Sequence, residues 1–165
     1  GETGQTAPPA FGLRERETVR AESPGIRVKT DMPVVDFRLS DDREALVIDE
    51  MENLANELGA STIILARGTQ VVAEVGGPDS WQPDELAALA AQGFRTSDSV
   101  ASLLGCDGRC REQITDSGTV LLHAVAVNGD LMLLAAMPAS VPLGAARLWV
   151  RRAAHRLDRV VSEDA

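Results

Sequence analysis

Two histidines, two cysteines and several clustered carboxylates are the residues of this chain whose chemistry could be catalytic or metal-binding. His123 stands in the alternating apolar stretch Leu121-Leu122-His123-Ala124-Val125, where it reads as a satisfied packing residue rather than a general acid or base. His155 lies among Arg151, Arg152, Arg156 and Arg159, on what reads as a solvated basic helix face. Cys106 and Cys110 enclose Asp107-Gly108-Arg109. A structural zinc site needs four ligands, and neither histidine falls at finger spacing, so no metal is expected. A disulfide closing the small loop is geometrically open, but two reduced thiols in a surface turn is the favoured reading. The carboxylates Asp49, Glu50 and Glu52, and the pair Asp84 and Glu85, recur at helical spacing, as solvated helix faces do.

Nucleophile and phosphate motifs are equally thin. Ser97, Ser99 and Ser102 sit on a helix with no histidine at motif spacing, and there is no G-x-S-x-G. There is no G-x-x-x-x-G-K-[ST], so the chain is not expected to hold a nucleotide through that loop. Gly76-Gly77-Pro78 follows a strand but has no basic residue or hydroxyl at the needed spacing, and reads as a turn. An enzyme, a cofactor and a metal are therefore not expected, and the catalytic residue list is empty.

Bulk properties agree. The chain has 165 residues with 44% apolar, 25% charged and 3% aromatic side chains. That length suits one domain with a short appendage and a real core. Sixteen basic against 25 acidic residues give a net charge of −9, which disfavours diffuse binding to nucleic acid or anionic lipid. Five aromatics and no tyrosine leave few stacking platforms for single strands. No apolar run approaches the roughly 18 residues of a membrane span. Lys29 is the only lysine, and Gly1-Glu2-Thr3-Gly4 is set aside from fold reasoning. A cytoplasmic location is expected.

The elements that must position these residues follow from periodicity. Residues 1–42 read as an N-terminal extension. Gly1 to Pro24 lacks sustained apolar periodicity and suggests a tail. Ile26-Arg27-Val28 and Val35 to Leu39 alternate about a turn candidate at Thr30 to Pro33 and suggest a short hairpin or a strand added to a sheet edge, an edge location that Pro33 favours. Ser40 with Asp41 and Asp42 signals a helix N-terminus, and Val47, Met51, Leu54 and Leu58 form a stripe that Gly59 ends. Ser61 to Ala66 and Val71 to Val75 read as a hairpin. A second helix opens at Pro83, with Leu86, Leu89, Ala90, Gly93, Val100, Leu103 and Leu104 as its inward stripe. Strands are expected at 111–116, 119–127 and 131–137, with Asn128-Gly129-Asp130 as the clearest hairpin turn. A last helix spans 143–161. The expected class is α+β: a five-stranded antiparallel sheet with three helices in the order helix, two strands, helix, three strands, helix. The domain is placed at 43–161, with 162–165 as a tail.

The pieces Leu54 to Val75 (LANELGASTIILARGTQVVAEV), Leu86 to Gly105 (LAALAAQGFRTSDSVASLLG) and Gly118 to Leu134 (GTVLLHAVAVNGDLMLL), in that order, resemble the roadblock / dynein light chain family. The first turn, Arg67-Gly68-Thr69-Gln70, departs from the acidic-then-glycine pattern of many members, and the extension before the first helix is not part of the family domain. The resemblance implies a homodimeric, non-catalytic module that regulates a Ras-like small GTPase. A small-ligand or signal-sensing module, or a light-chain-type scaffold without GTPase contact, stands as the alternative. The resemblance also implies that the first and last helices share one sheet face, where acids of the first helix would pair with arginines of the last. It implies dimerisation through the middle helix and the following strand, assigned to Ala87, Ala90, Gly93, Arg111 and Gln113. The GTPase is expected over the paired middle helices, on a flat, nearly uncharged strip of Ala88, Ala91, Arg95, Ser99 and Ser102, with Arg95 as its anchor.

Overall fold

A computed structural model of the protein describes residues 39–78 and 81–162. The readings for the earlier part of the N-terminal extension and for the last three residues lie outside the described residues. Eight elements follow one another: α1 (Asp41–Leu58), β1 (Thr62–Arg67), β2 (Gln70–Gly76), α2 (Pro83–Leu103), β3 (Glu112–Asp116), β4 (Val120–Asn128), β5 (Leu131–Pro138) and α3 (Leu143–Ser162). Order and class are those expected from periodicity.

Local signals explain the ends. Ser40 Oγ accepts the Arg43 N–H at 3.3 Å, and Asp41, Asp42 and Glu44 occupy the positive end of α1. Gly59 stops that helix at φ 63°, a left-handed conformation that glycine adopts without a Cβ penalty. The Gly76-Gly77 turn is tighter still. A Cβ on Gly76 would lie 2.6 Å from Ser61 O, and the Gly77 N–H donates to that same carbonyl at 2.6 Å. That amide is spent inside the chain, so the turn is no phosphate cradle.

The sheet order is β2-β1-β5-β4-β3, and every neighbouring pair is antiparallel. Central β5 is buried on both faces, which is why Leu131 to Met137 reads as an unbroken apolar run. One face carries α1 and α3 over a core of Val47, Met51, Ile63, Leu65, Leu133, Val150 and Leu157. These two helices lie side by side, and Arg43 Nη1 donates to Val160 O at 3.2 Å. The other face carries α2 alone, over Ile64, Val71, Ala124, Met132 and Leu134. The ionic ties of α3 differ from expectation. Among the described residues Arg156 alone of the α3 arginines meets an acid of α1, Glu50, at 3.6 Å, while Arg147 and Arg151 turn to Glu112 on β3.

Candidate interaction surface

The edge strand β3 is short and polar, yet it is held firmly on one face. Glu112 pairs with Val125 of β4 and Ile114 with His123, so Glu112 and His123 are diagonal neighbours on the face that α3 covers. His123 is fully buried, and its Nε2 lies 2.7 Å from Glu112 Oε2. Arg147 Nε donates to Glu112 Oε2 at 3.0 Å and Arg151 Nε to Oε1 at 3.1 Å. One carboxylate thus ties β3 to β4 and to α3.

The electrostatics follow from this arrangement. Burial opposes ionisation of Glu112, but the hydrogen bonds from Arg151, Arg147 and His123 outweigh it and hold its pKa at about 2. Burial pushes the His123 pKa down, against the raising effect of Glu112. A carboxylate can only accept, so the neutral imidazole carries its proton on Nε2. Its Nδ1 has no hydrogen-bond partner among the described residues. His123 is a packing residue as expected, but a half-satisfied one. An orphaned buried acceptor of this kind costs on the order of 1–3 kcal/mol.

On the opposite face α2 comes close to the sheet because its inner residues are small. Ala87 and Ala91 are buried, with Leu86, Ala90 and Phe94 partly so. Gly93 permits the approach to β3: a Cβ there would clash with Gln113 Oε1. Gln113 Nε2 donates to Ala90 O at 3.2 Å, completing the contact.

This seating corrects the expected faces of α2. Leu89, Val100, Leu103 and Leu104, expected to point inward, are exposed, Leu103 at 87% and Leu89 at 59%. Periodicity groups residues on one face without saying which face the sheet takes, and the flat, filled surface over Ile64 and Leu134 accepts alanines. Ala87 therefore has no surface to offer a second copy, and Ala91 is buried and leaves the expected partner strip. Of that strip, Arg95, Ser99 and Ser102 are exposed and Ala88 is half-buried. Ser99 Oγ is spent on the carbonyl of Arg95 at 3.2 Å. Of the assigned dimer residues, Ala90, Gly93 and Gln113 come together in one contact, and Arg111 is exposed just before β3.

Glu112 escaped the sequence reading. Its signal was present in the register: a hairpin aligned on Val120 to Val125 places residue 112 diagonally across from His123, under two arginines one helical turn apart. Cys106 and Cys110 are free thiols, the first exposed and the second half-buried. Among the described residues no group of His, Cys, Asp and Glu could hold a metal ion, and no helix is long and apolar enough to cross a membrane.

The chain matches no protein-family model and no curated protein sequence. Solved structures do match. MglB in a tetrameric arrangement superposes with a TM-score of 0.71 at 25% identity, over 78% of this chain and 96% of that one. The gliding protein MglB from Thermus thermophilus gives 0.70 at 25% identity, with the same coverage. A roadblock/LC7 domain from Streptomyces avermitilis gives 0.59 at 18% identity, over 66% of this chain and 91% of that one, and speaks for the fold alone.

Proposed function

With the roadblock family fold as its premise, we propose that this protein is a non-catalytic homodimeric regulator of a Ras-like small GTPase in the cytoplasm. One observation carries the reading: among the described residues, the outer face of α2 exposes large apolar side chains with nothing packed on them, beside a sheet edge that no described strand pairs. Leu89, Val100 and Leu103 line that face, and β3, tied to α2 through Gly93 and Gln113, is the edge. Burying each such side chain stabilises by about 1.5–3 kcal/mol. Large apolar side chains exposed on one side of a helix point to an interaction surface, and an edge strand that no described strand pairs invites a second strand. A two-fold pairing of α2 and β3 with their counterparts in a second copy satisfies both.

The GTPase surface then lies on the flank of α2 formed by Ala88, Arg95, Ser99 and Ser102. Small residues there let a partner backbone approach, and the Arg95 guanidinium offers directional donors without acting as a catalytic finger. The test is binding of the purified dimer to a GTPase encoded beside it. Arg95→Glu is expected to lower affinity about tenfold, or 1.4 kcal/mol, with dimer and melting temperature unchanged. Undiminished binding by a folded Arg95→Glu dimer overturns the assignment of this flank.

A further inference from the structure

The C-terminal half of α2, the 104–111 loop and the turns at Gly68 and Gly129 enclose a cleft of about 470 Å³. Its size falls within the range of pockets for small organic ligands. The floor is apolar, built from Ala91, Phe94, Leu131 and Met132, and Phe94 adds an aromatic ring only partly covered by its neighbours. Arg95, Arg109 and Arg111 line the cleft, together with the acids Asp98 and Asp130. Both acids are engaged inside the chain. Asp130 Oδ1 accepts from Arg67 Nε at 3.2 Å, and Asp98 Oδ1 accepts the Cys110 N–H. None of the three lining guanidiniums has a hydrogen bond or ion pair among the described residues. Three arginines against two acids, one of them paired with Arg67, leave the cleft net positive in a chain whose net charge is −9.

The Asp98–Cys110 bond also gives the arrangement its order. It fastens the loop that carries Arg109 and Arg111 onto the helix that carries Arg95, so part of the entropic cost of gathering the cations is met before any ligand arrives. Guanidinium forks match the oxygens of a phosphate group. The ring of Phe94 and the thioether of Met132 suit a flat or apolar body. The cleft lies on the sheet side of α2, away from the exposed Leu89, Val100 and Leu103.

We propose that this cleft binds a small organic phosphate, its apolar body on the Phe94–Met132 floor and its phosphate among Arg95, Arg109 and Arg111. The inference goes beyond the GTPase reading and does not rest on it.

The test titrates the full-length protein alone with 1-naphthyl phosphate by calorimetry and by methyl NMR, with 1-naphthol and inorganic phosphate as separate arms. The expected result is saturable binding with a Kd below about 1 mM, each fragment binding at least about tenfold more weakly. The Met132 methyl resonance should shift on titration. A double variant, Arg109→Ala with Arg111→Ala, should lose at least about tenfold in affinity and leave Arg95 in place. Three results overturn the proposal: no binding of the naphthyl phosphate, equal affinity in the folded double variant, or shifts confined to Leu89, Val100 and Leu103. If the double variant does not fold, the wild-type methyl shifts decide alone. No GTPase is present, so failure here leaves the GTPase reading untouched.

Discussion

Glu112 and His123 form the residue-scale device that fixes the edge strand, and their titration gives it a pH signature. The His123 pKa is below its ordinary 6.5 in the folded protein because burial disfavours the charged ring. The unfolded chain then binds the proton more readily, so the stability tied to neutral His123 is complete above about pH 6.5 and declines as pH falls below it. Glu112, held at about 2 against 4.5, contributes stability present above about pH 4.5 and lost as pH falls towards 2. Thermal melts should therefore drop in two stages on acidification. His123→Gln, which can still donate to the carboxylate, should flatten the stage that begins as pH falls below about 6.5. Glu112→Gln should shrink the drop between pH 4.5 and 2. A His123→Gln curve parallel to wild type over the upper window would remove the imidazole from this account. Glu112→Ala is the harsher change. It strands the His123 Nε2–H in the core and should cost about 1–3 kcal/mol in urea unfolding.

At the scale of elements, the seating of α2 on β3 depends on one missing side chain. Gly93→Leu gains about 1 kcal/mol of helix propensity but must displace Gln113 and its bond to Ala90. Overpacking of this sort costs about 1–3 kcal/mol, so a net loss of stability is expected. Adding Gln113→Ala should recover most of that loss, and a double-mutant cycle in urea measures the coupling. Additive effects would show that the two side chains are not the point of contact. The same geometry disqualifies a bulky residue at 93 as a probe of dimerisation, since it disturbs the protomer first.

For the whole molecule, the outer strip of α2 is the better probe. Leu103 is almost wholly exposed, so Leu103→Glu removes little packing among the described residues. Light scattering at micromolar concentration is expected to give a dimer for the wild type and a monomer for Leu103→Glu, with identical circular dichroism. The wild-type melting temperature should rise with protein concentration, because association stabilises by mass action, while that of Leu103→Glu should not. A monomeric wild type would contradict the homodimer directly and leave the β3 edge to another partner.

The sequence by itself determined the element order, the antiparallel class and most element ends, because these depend on local chemistry. Ser40, Gly59 and Pro83 act within a turn of where they stand, and the two-residue hairpin at Gly129 and Asp130 is set by neighbouring residues. The resemblance to roadblock proteins rested on that same local order. Tertiary structure alone decided which face of α2 the sheet takes, because an amphipathic pattern fixes relative position and not absolute orientation. With alanines below and leucines above, the larger side chains are left for another surface. It alone brought Glu112 beneath Arg147 and Arg151, residues some 35 positions away in the chain. It alone gathered Arg95, Arg109 and Arg111 around one apolar floor, since no periodicity links a helix, a loop and two hairpin turns. Such convergence is a property of the closed fold.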